Sequence, residues 1–540
     1  MFSDWPILSL IAFSPLLGVL VLLFLKKDNG RWIKIVGVSA TIIPLVLSAL
    51  LYADFNAASS ASQFVEKYDW LNIPLSAAQI SEDITSFTIS FQYHFAVDGL
   101  SMPFVFLTAL IATMAALGSV YIKKRWKLYY ILFLILETGM FGVFMAHDVF
   151  LFFLFFEAVL VPMFFLVGIW GYLDREKAAI KFLLYNGLGS AIMLLAFLIL
   201  VTTAGFSEAQ NASGFSIVFS GNLDTIMNNL FHNPDAYVNI KEAPFHLTAG
   251  LKTTLFAMFL VAFGIKLPIF PFHTWMLKVH QEAPPSIVMI HSGILLKMGA
   301  YGLIRFGILI FPEQAKDWAV ALAILGVINI LYGAVLAFVQ TDFKLLLAYS
   351  SISHMGIVLL GIAAFNTTGL NGAVFQMVSH GLISALLFLL VGAIYERTKT
   401  TDLDQLGGLA ANVPFIGGIL LTAGMASLGL PGLSGFVGEF LSFLGLFDSM
   451  KWITVVGALG IIFAAVYMLR GVLGITFGPN KFKEVVMRDA RLIEAVPMII
   501  LVAFILLLGL YPGILNHTLD HTVTGFDQHI QSILTAKAGE

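Results

Sequence analysis

The sequence predicts an all-α polytopic membrane protein of about 14 transmembrane helices, and three observations predict it. Charged residues make up 11% of the chain and hydrophobic ones 59%, where a soluble domain carries about 25% charged. The apolar residues collect in stretches of about 20, the length at which a helix crosses the hydrocarbon core. Lysine and arginine concentrate in alternate loops, 20 against 7 in the intervening ones, and cytoplasmic loops carry that excess. A chain so short of polar surface is not a soluble enzyme, a nucleic-acid binder or a disordered scaffold. Its net charge of −3 gives nucleic acid no basic footprint. With no cysteine, it cannot ligate zinc or an ordinary iron–sulfur cluster through thiolates.

Taken in order, the spans fall near 6–25, 32–53, 99–122, 129–147 and 149–171, then 178–203, 250–276, 284–310, 318–339 and 343–365, then 370–396, 412–446, 452–475 and 492–513. Lys26 and Lys27 follow the first stretch rather than precede it, so it reads as a span and not as a cleavable signal peptide. An even number of spans with this loop bias puts both termini outside. In the outer loop 55–97, Phe87, Ile89, Phe91, Tyr93 and Phe95 alternate with polar residues, a period of two that predicts a small outer-surface β-hairpin. Asp98-Gly99 caps the third span. The second long outer loop, 204–249, is rich in Asn, Ser and Gly and reads as irregular. The tail from Gly513 to Glu540 reads as short and polar, without a long amphipathic helix.

Displacing the chain by 194 residues lays Asp148 on Asp342, Leu151 on Leu345, Ala179 on Ala373, Gly187-Leu188 on Gly381-Leu382 and Ser190-Ala191 on Ser384-Ala385. After a shorter loop, Leu267-Pro268 meets Leu430-Pro431. The repeats are spans 4–8 and spans 9–13, and an odd number of helices inverts the second copy, as in secondary transporters. The chain then divides into 1–127 with three helices and the first outer loop, 128–310 and 318–476 as the two repeats, and 477–540 as a last helix with its tail. Pro268 and Pro271 break span 7, and Pro431 with Gly429, Gly432 and Gly435 breaks span 12. Irregular backbone at membrane depth occurs where it is buried in protein or lines a cavity.

An ionisable side chain at the centre of a span costs roughly 2.5–3.5 kcal/mol on insertion scales and is a functional candidate by default. Six stand out: Glu157 in span 5, Lys266 before the span-7 break, Lys297 in span 8, His354 in span 10, His380 in span 11 and Glu439 after the span-12 break. Against them stand blander readings: a neutral carboxylate bonded to a carbonyl, a snorkelling lysine, a structural histidine. Glu157 has no partner on its own helix, and Lys297 lies too deep to snorkel easily. His273, His291 and Glu137 are lesser candidates. These are the residue types of a proton relay, because burial and neighbouring charge bring Lys, Glu and His toward neutral pH, whereas Arg does not deprotonate. His517 and His521 are spaced for a metal, but on the polar tail. There is no glycine-rich phosphate loop, no nucleophile–base constellation and no redox centre in the sequence.

HFAVDGLSMP, FFLFFEAVLVPMFFLVGIWG, FGIKLPIFPFHTWM, GILLKMGAYGLIRF, TDFKLLLAYSSISHMG, SHGLISALLFLLVGAIYER and LPGLSGFVGEF together resemble the antiporter-like, proton-translocating subunits of respiratory complex I. The resemblance is to the subunit M / chain 4 family of NADH–quinone oxidoreductase, and it covers essentially the whole chain. It implies 14 helices with two inverted five-helix repeats and a hydrophilic axis at the membrane midplane. It implies that Glu157 and Lys266 interact, that Lys297 joins the two halves, that His354 and His380 continue the path and that Glu439 stands at the exit side. Glu439 is the mark of the M type, since the L and N types carry Lys there. The resemblance places no cofactor in this chain and puts FMN, iron–sulfur clusters and quinone in partner subunits. Its partners would be the L- and N-type subunits, including a lateral helix of the L type, and lipids, in a bacterial plasma membrane. Met276-Leu277-Lys278-Val279-His280 departs from the Leu-Pro-Asp-Ala-His common in relatives. A multicomponent Na⁺(K⁺)/H⁺ antiporter and a membrane-bound hydrogenase or ferredoxin-linked complex use related subunits and are the alternatives.

Overall fold

The computed structural model describes residues 5–75, 84–211, 214–241, 243, 246–483 and 486–538. Among them, 13 helices are long and apolar enough to cross a membrane. The remaining span is the twelfth, made of two shorter helices, Pro414–Ser427 and Ser434–Ser449. Span 7 is likewise divided, into Ala249–Lys266 and Thr274–Glu282. Both expected breaks are present, and each has a local cause. In span 7 the backbone freed around Pro268 is satisfied by a fully buried amide from span 9: Asn329 accepts from the Phe270 N–H at 2.8 Å and donates to the Pro268 carbonyl at 3.3 Å. In span 12, Gly429 and Gly432 take φ of +78° and +94°, left-handed conformations that glycine adopts without steric cost.

The second helix of each expected repeat starts with the same cap. Asp148 caps span 5 by accepting from the Leu151 N–H at 3.1 Å, and Asp342 caps span 10 by accepting from the Leu345 N–H at 3.0 Å. Five spans lie between them, so the two caps sit at opposite faces of the membrane. Span 8, Pro285–Ile308, is buried along its whole length. It carries two π-helical turns, His291–Leu295 and Leu303–Ile308, with Lys297 in the α-helical stretch between them. It packs against span 11, Thr367–Thr398, and the other spans surround this pair.

Both long loops and the C-terminal tail lie on one face. The strands β1 (Gln63–Leu75), β2 (Ile84–Val97), β3 (Phe206–Asn211) and β4 (Gly214–Ser220) form one sheet in the order β1-β2-β4-β3. β1 and β2 are the expected antiparallel hairpin, whose turn at 76–83 lies outside the described residues. The loop 204–249 is not irregular: β4 pairs parallel with β2 and antiparallel with β3, and a helix at Leu223–Phe231 follows, capped by Asn222. Ile217 and Phe219 alternate inward on β4, a signal too short to stand out until β2 offers an edge. The tail is not a short polar segment either. Gly513–Ala538 is a helix whose Leu515, Leu519, Val523 and Ile530 are buried, so its apolar residues fall at helical spacing although the segment is polar on average. Two residues of the loop-charge pattern also prove buried. Lys344 is 4% exposed and Arg305 is 9% exposed, the latter paired with Asp98 at 2.7 Å.

Candidate functional site

The buried ionisable residues form a continuous series in the second half of the molecule. The Lys297 ammonium lies 2.7 Å from His380 Nδ1 and also donates to the Ser292 carbonyl, one turn back along span 8. The His380 and His354 rings stand 5.4 Å apart. His354 Nδ1 lies 3.2 Å from Glu439 Oε1 and 3.3 Å from the Gln376 amide nitrogen, while its Nε2 is 3.4 Å from the Ser427 hydroxyl. All four residues are buried. Small cavities lined by Ser350, Ser351, Ser427 and Gln376 flank the two histidines. The span-12 break brings Gly429 against the Glu439 carboxylate, where any Cβ would lie 2.6 Å from Oε2.

The order along this series is Lys297, His380, His354, Glu439, the reverse of chain order for the two histidines. Span 11 packs directly on span 8, so its histidine meets Lys297 first. His354 faces the span-12 break instead.

The first half is looser. Lys266 ends the first helix of span 7, is 2% exposed and points its ammonium over the Phe156 ring, 4.4 Å from the centroid. Glu157 is the next residue along span 5. Its charge acts on Lys266, but among the described residues the two form no ion pair, and Glu157 Oε1 is buried without a hydrogen-bond partner. Gly299 lets span 8 approach the break: a Cβ there would meet the Leu267 nitrogen at 2.6 Å and the Phe263 carbonyl oxygen at 2.8 Å. Lys266 and Lys297 therefore sit on two closely packed backbones.

His291, a lesser candidate in sequence, lies within reach of the charges of both lysines. It is fully buried, and the charges acting on it come from His280, Lys266 and Lys297. Its Nδ1 lies 2.9 Å from His280 Nε2. His280 is also fully buried and was missed in sequence because it follows the span-7 break in a stretch that reads as a loop. The signal available was that the departing motif keeps its histidine. His273 instead pairs with the Tyr332 hydroxyl at 3.3 Å and stacks on Phe270, apart from the series. Glu137 is fully buried with neither carboxylate oxygen hydrogen-bonded. His517 and His521 stand exposed on the C-terminal helix.

With this geometry in place, the likeness to known proteins becomes specific. The transmembrane family described as NADH:quinone oxidoreductase/Mrp antiporter matches residues 146–466, which hold all six principal candidates. The chain is 37% identical to NADH-quinone oxidoreductase subunit M of Rhodobacter capsulatus over 99% of each. A chain of respiratory complex I from Thermus thermophilus with bound NADH superposes with a TM-score of 0.78 at 27% identity, covering 97% of this chain and 99% of that one. A chain of the Mrp complex from Dietzia shares the fold with a TM-score of 0.75 at 20% identity, covering 97% and 99%. An identity above a third along the full length, with a family match over more than half of the chain, leaves one conclusion: the protein is an integral multi-pass membrane protein of the NADH:quinone oxidoreductase/Mrp antiporter family, similar throughout to subunit M / chain 4 of NADH–quinone oxidoreductase.

Proposed function

We propose that this chain is a proton-translocating subunit of the membrane arm of an NADH–quinone oxidoreductase, and that Glu157, Lys266, Lys297, His380, His354 and Glu439 carry the proton. The observation that supports this most is the contact series Lys297–His380–His354–Glu439, four buried titratable side chains in sequence across the interior. Buried groups of this kind are costly and are kept where protons or ions move. Electron transfer in partner subunits, which would hold the FMN, iron–sulfur clusters and quinone, perturbs the charge near Glu157. Its partly exposed position on span 5 lets a neighbouring membrane subunit of the L or N type reach it. When Glu157 and Lys266 move apart, Lys266 loses its compensating charge and releases its proton toward His291 and Lys297. The proton then passes through His380 and His354 to Glu439 and leaves at the outer side. In this reading the lysine-rich face is cytoplasmic, the sheet and both termini are outside, the membrane is a bacterial plasma membrane, and a lateral helix of the L-type partner lies alongside.

The test uses the assembled complex in proteoliposomes. Glu157→Gln and Lys266→Ala should each strongly reduce proton pumping and the NADH oxidation coupled to it, about tenfold or more if a proton-transfer group is lost, while assembly persists. Pumping at the unaltered rate in either variant overturns the assignment. Purification in mild detergent separates the reading from a stand-alone antiporter: flavin and iron–sulfur absorbance with NADH dehydrogenase activity support it, and a redox-silent complex refutes it.

A further inference from the structure

One buried lysine stands outside this series. Lys344, in the first turn of span 10, donates to the Gln281 carbonyl at 3.2 Å and holds its ammonium 3.9 Å from the centre of the Tyr172 ring. The carboxylates around it are engaged elsewhere. Asp342 accepts from the Leu345 N–H and the Thr401 hydroxyl, and Glu282 accepts from the Asp174 N–H at 2.9 Å. Among the described residues Lys344 takes part in no ion pair. The charges of Asp342 and Glu282 act on it, but no ion pair fixes the ammonium of this nearly inaccessible lysine.

What lies on either side of it suggests a use. Tyr172 also lines a cavity of about 280 Å³ at the lysine-rich face, together with Lys123, Lys124, Ser286, Tyr395 and Glu396. Its rim is wet, since Lys123 is 74% exposed and pairs with Glu396 at 3.3 Å. Toward the interior, Gln281 adjoins His280, whose surroundings include the charges of Lys344 and Lys297. His280 Nδ1 and His291 Nε2 are buried and have no hydrogen-bond partner. Buried polar nitrogens are normally satisfied, and an orphan needs a reason. The two orphans sit on adjacent histidines between a lysine beside a solvent cavity and the central lysine; with one N–H in the contact between the neutral rings, one outer nitrogen can take a proton and the other carries one to give.

We infer that protons are taken up from the lysine-rich side through this cavity, and that Lys344 is the first proton-holding group, passing its proton to His280 and thence through His291 to Lys297. In that step the Lys344 ammonium becomes an amine and His280 becomes an imidazolium, and cavity water then restores the ammonium. The inference rests on the proton-pumping reading above and adds its uptake branch.

Lys344→Arg discriminates a relay from a structural cation. Arginine keeps the charge and stacks on Tyr172, but it does not deprotonate. In the reconstituted complex, Lys344→Arg and Lys344→Met should both lose proton pumping about tenfold or more, with the variant complex assembled. Full pumping by Lys344→Arg would reduce Lys344 to a structural cation and overturn the inference. The chain has no cysteine, so Tyr172→Cys puts a single thiol on it. A membrane-impermeant cationic thiosulfonate applied from the lysine-rich face of inside-out vesicles should label that cysteine and block pumping. An unlabelled cysteine, or pumping unaffected by labelling, refutes the uptake route even if Lys344→Met fails to assemble. Lys266→Ala run in parallel separates the two failures. If it still pumps, the functional reading falls; if it is blocked while Lys344→Arg pumps normally, only the uptake inference falls.

Discussion

Asp98 and Arg305 show what a buried charge does when it has a partner. Both are nearly inaccessible, and the guanidinium reaches the carboxylate at 2.7 Å and the Tyr301 hydroxyl at 3.3 Å. Burial pushes the Asp98 carboxyl up, but Arg305 beside it and His147 nearby more than compensate and hold it below the ordinary range. Asp98→Asn keeps the shape and leaves Arg305 buried and unpaired, a change that costs about 3–5 kcal/mol. The expected result is a clear drop in the melting temperature of the purified complex. Asp98→Asn with Arg305→Met should recover much of the loss, because no charge is then left without a partner; no recovery would show that the pair is not what matters. The proposed proton series uses the opposite arrangement. Glu157 and Lys266 are held near each other and unbonded, so their interaction can change with small movements.

At the scale of elements, span 8 is the part everything else is fitted to. Two π-helical turns bracket the Lys297 segment, and π-turns of this kind are frequent at functional sites. Gly299 sets the distance to the span-7 break, since a methyl group there would collide with the backbone at Leu267 and Phe263. Backbone cannot swing aside as a flexible side chain can. Gly299→Ala should therefore displace span 8 from Lys266 and lower pumping severalfold, whereas Gly418→Ala, which meets nothing within 4 Å in the helix Pro414–Ser427, should pump normally and be neutral or stabilising by up to about 1 kcal/mol. Equal pumping by the two variants would show that the close approach is not needed.

At the scale of the whole molecule, the sheet, the Leu223–Phe231 helix and the C-terminal helix form a layer over one face that ties distant parts of the chain together. The Gly99 N–H donates to the Thr522 hydroxyl at 3.0 Å, the His147 N–H to the His94 carbonyl at 2.8 Å, and the Asn222 amide to His94 Nδ1 at 2.9 Å. This layer should be sensitive to acid. Burial and then His147 push His94 down to about 4, and burial and then Arg305 push His147 down as well. The unfolded chain takes up those protons below about 6.5, so the stability the neutral histidines give is complete above that pH and is lost as pH falls toward 4. Asp148 acts the other way: burial pushes it up to about 6, so the folded state gains by binding its proton as pH falls below 6. The Asp98 contribution is present above the ordinary carboxylate range and is lost only below it. Burial also pushes Glu66 of β1 up and His529 of the C-terminal helix down, so three histidines stand against two carboxyls between pH 6.5 and 4, and the melting temperature should fall over that window. His94→Asn should flatten the fall; an unchanged slope would remove His94 from the account.

By itself, the sequence determined the spans, their two breaks and which ionisable residues lie within apolar spans, the six principal candidates among them. Each is a local property: a helix needs only its own apolar length to cross, proline and glycine act on their own backbone, and an ionisable residue such as Lys297 is conspicuous in any apolar stretch. Only the tertiary structure decided what depends on contacts between spans. The order of His380 before His354 follows from which helix packs on span 8. The placing of His280 and His291 between two lysines follows from how the span-7 break folds back. The burial of Lys344 and Arg305 could not be seen in a count of loop charges, since a residue at a helix end is exposed or enclosed according to its neighbours. β4 and the C-terminal helix were illegible for the same reason. Each has only a modest apolar face, and that face is stable against a partner brought from hundreds of residues away.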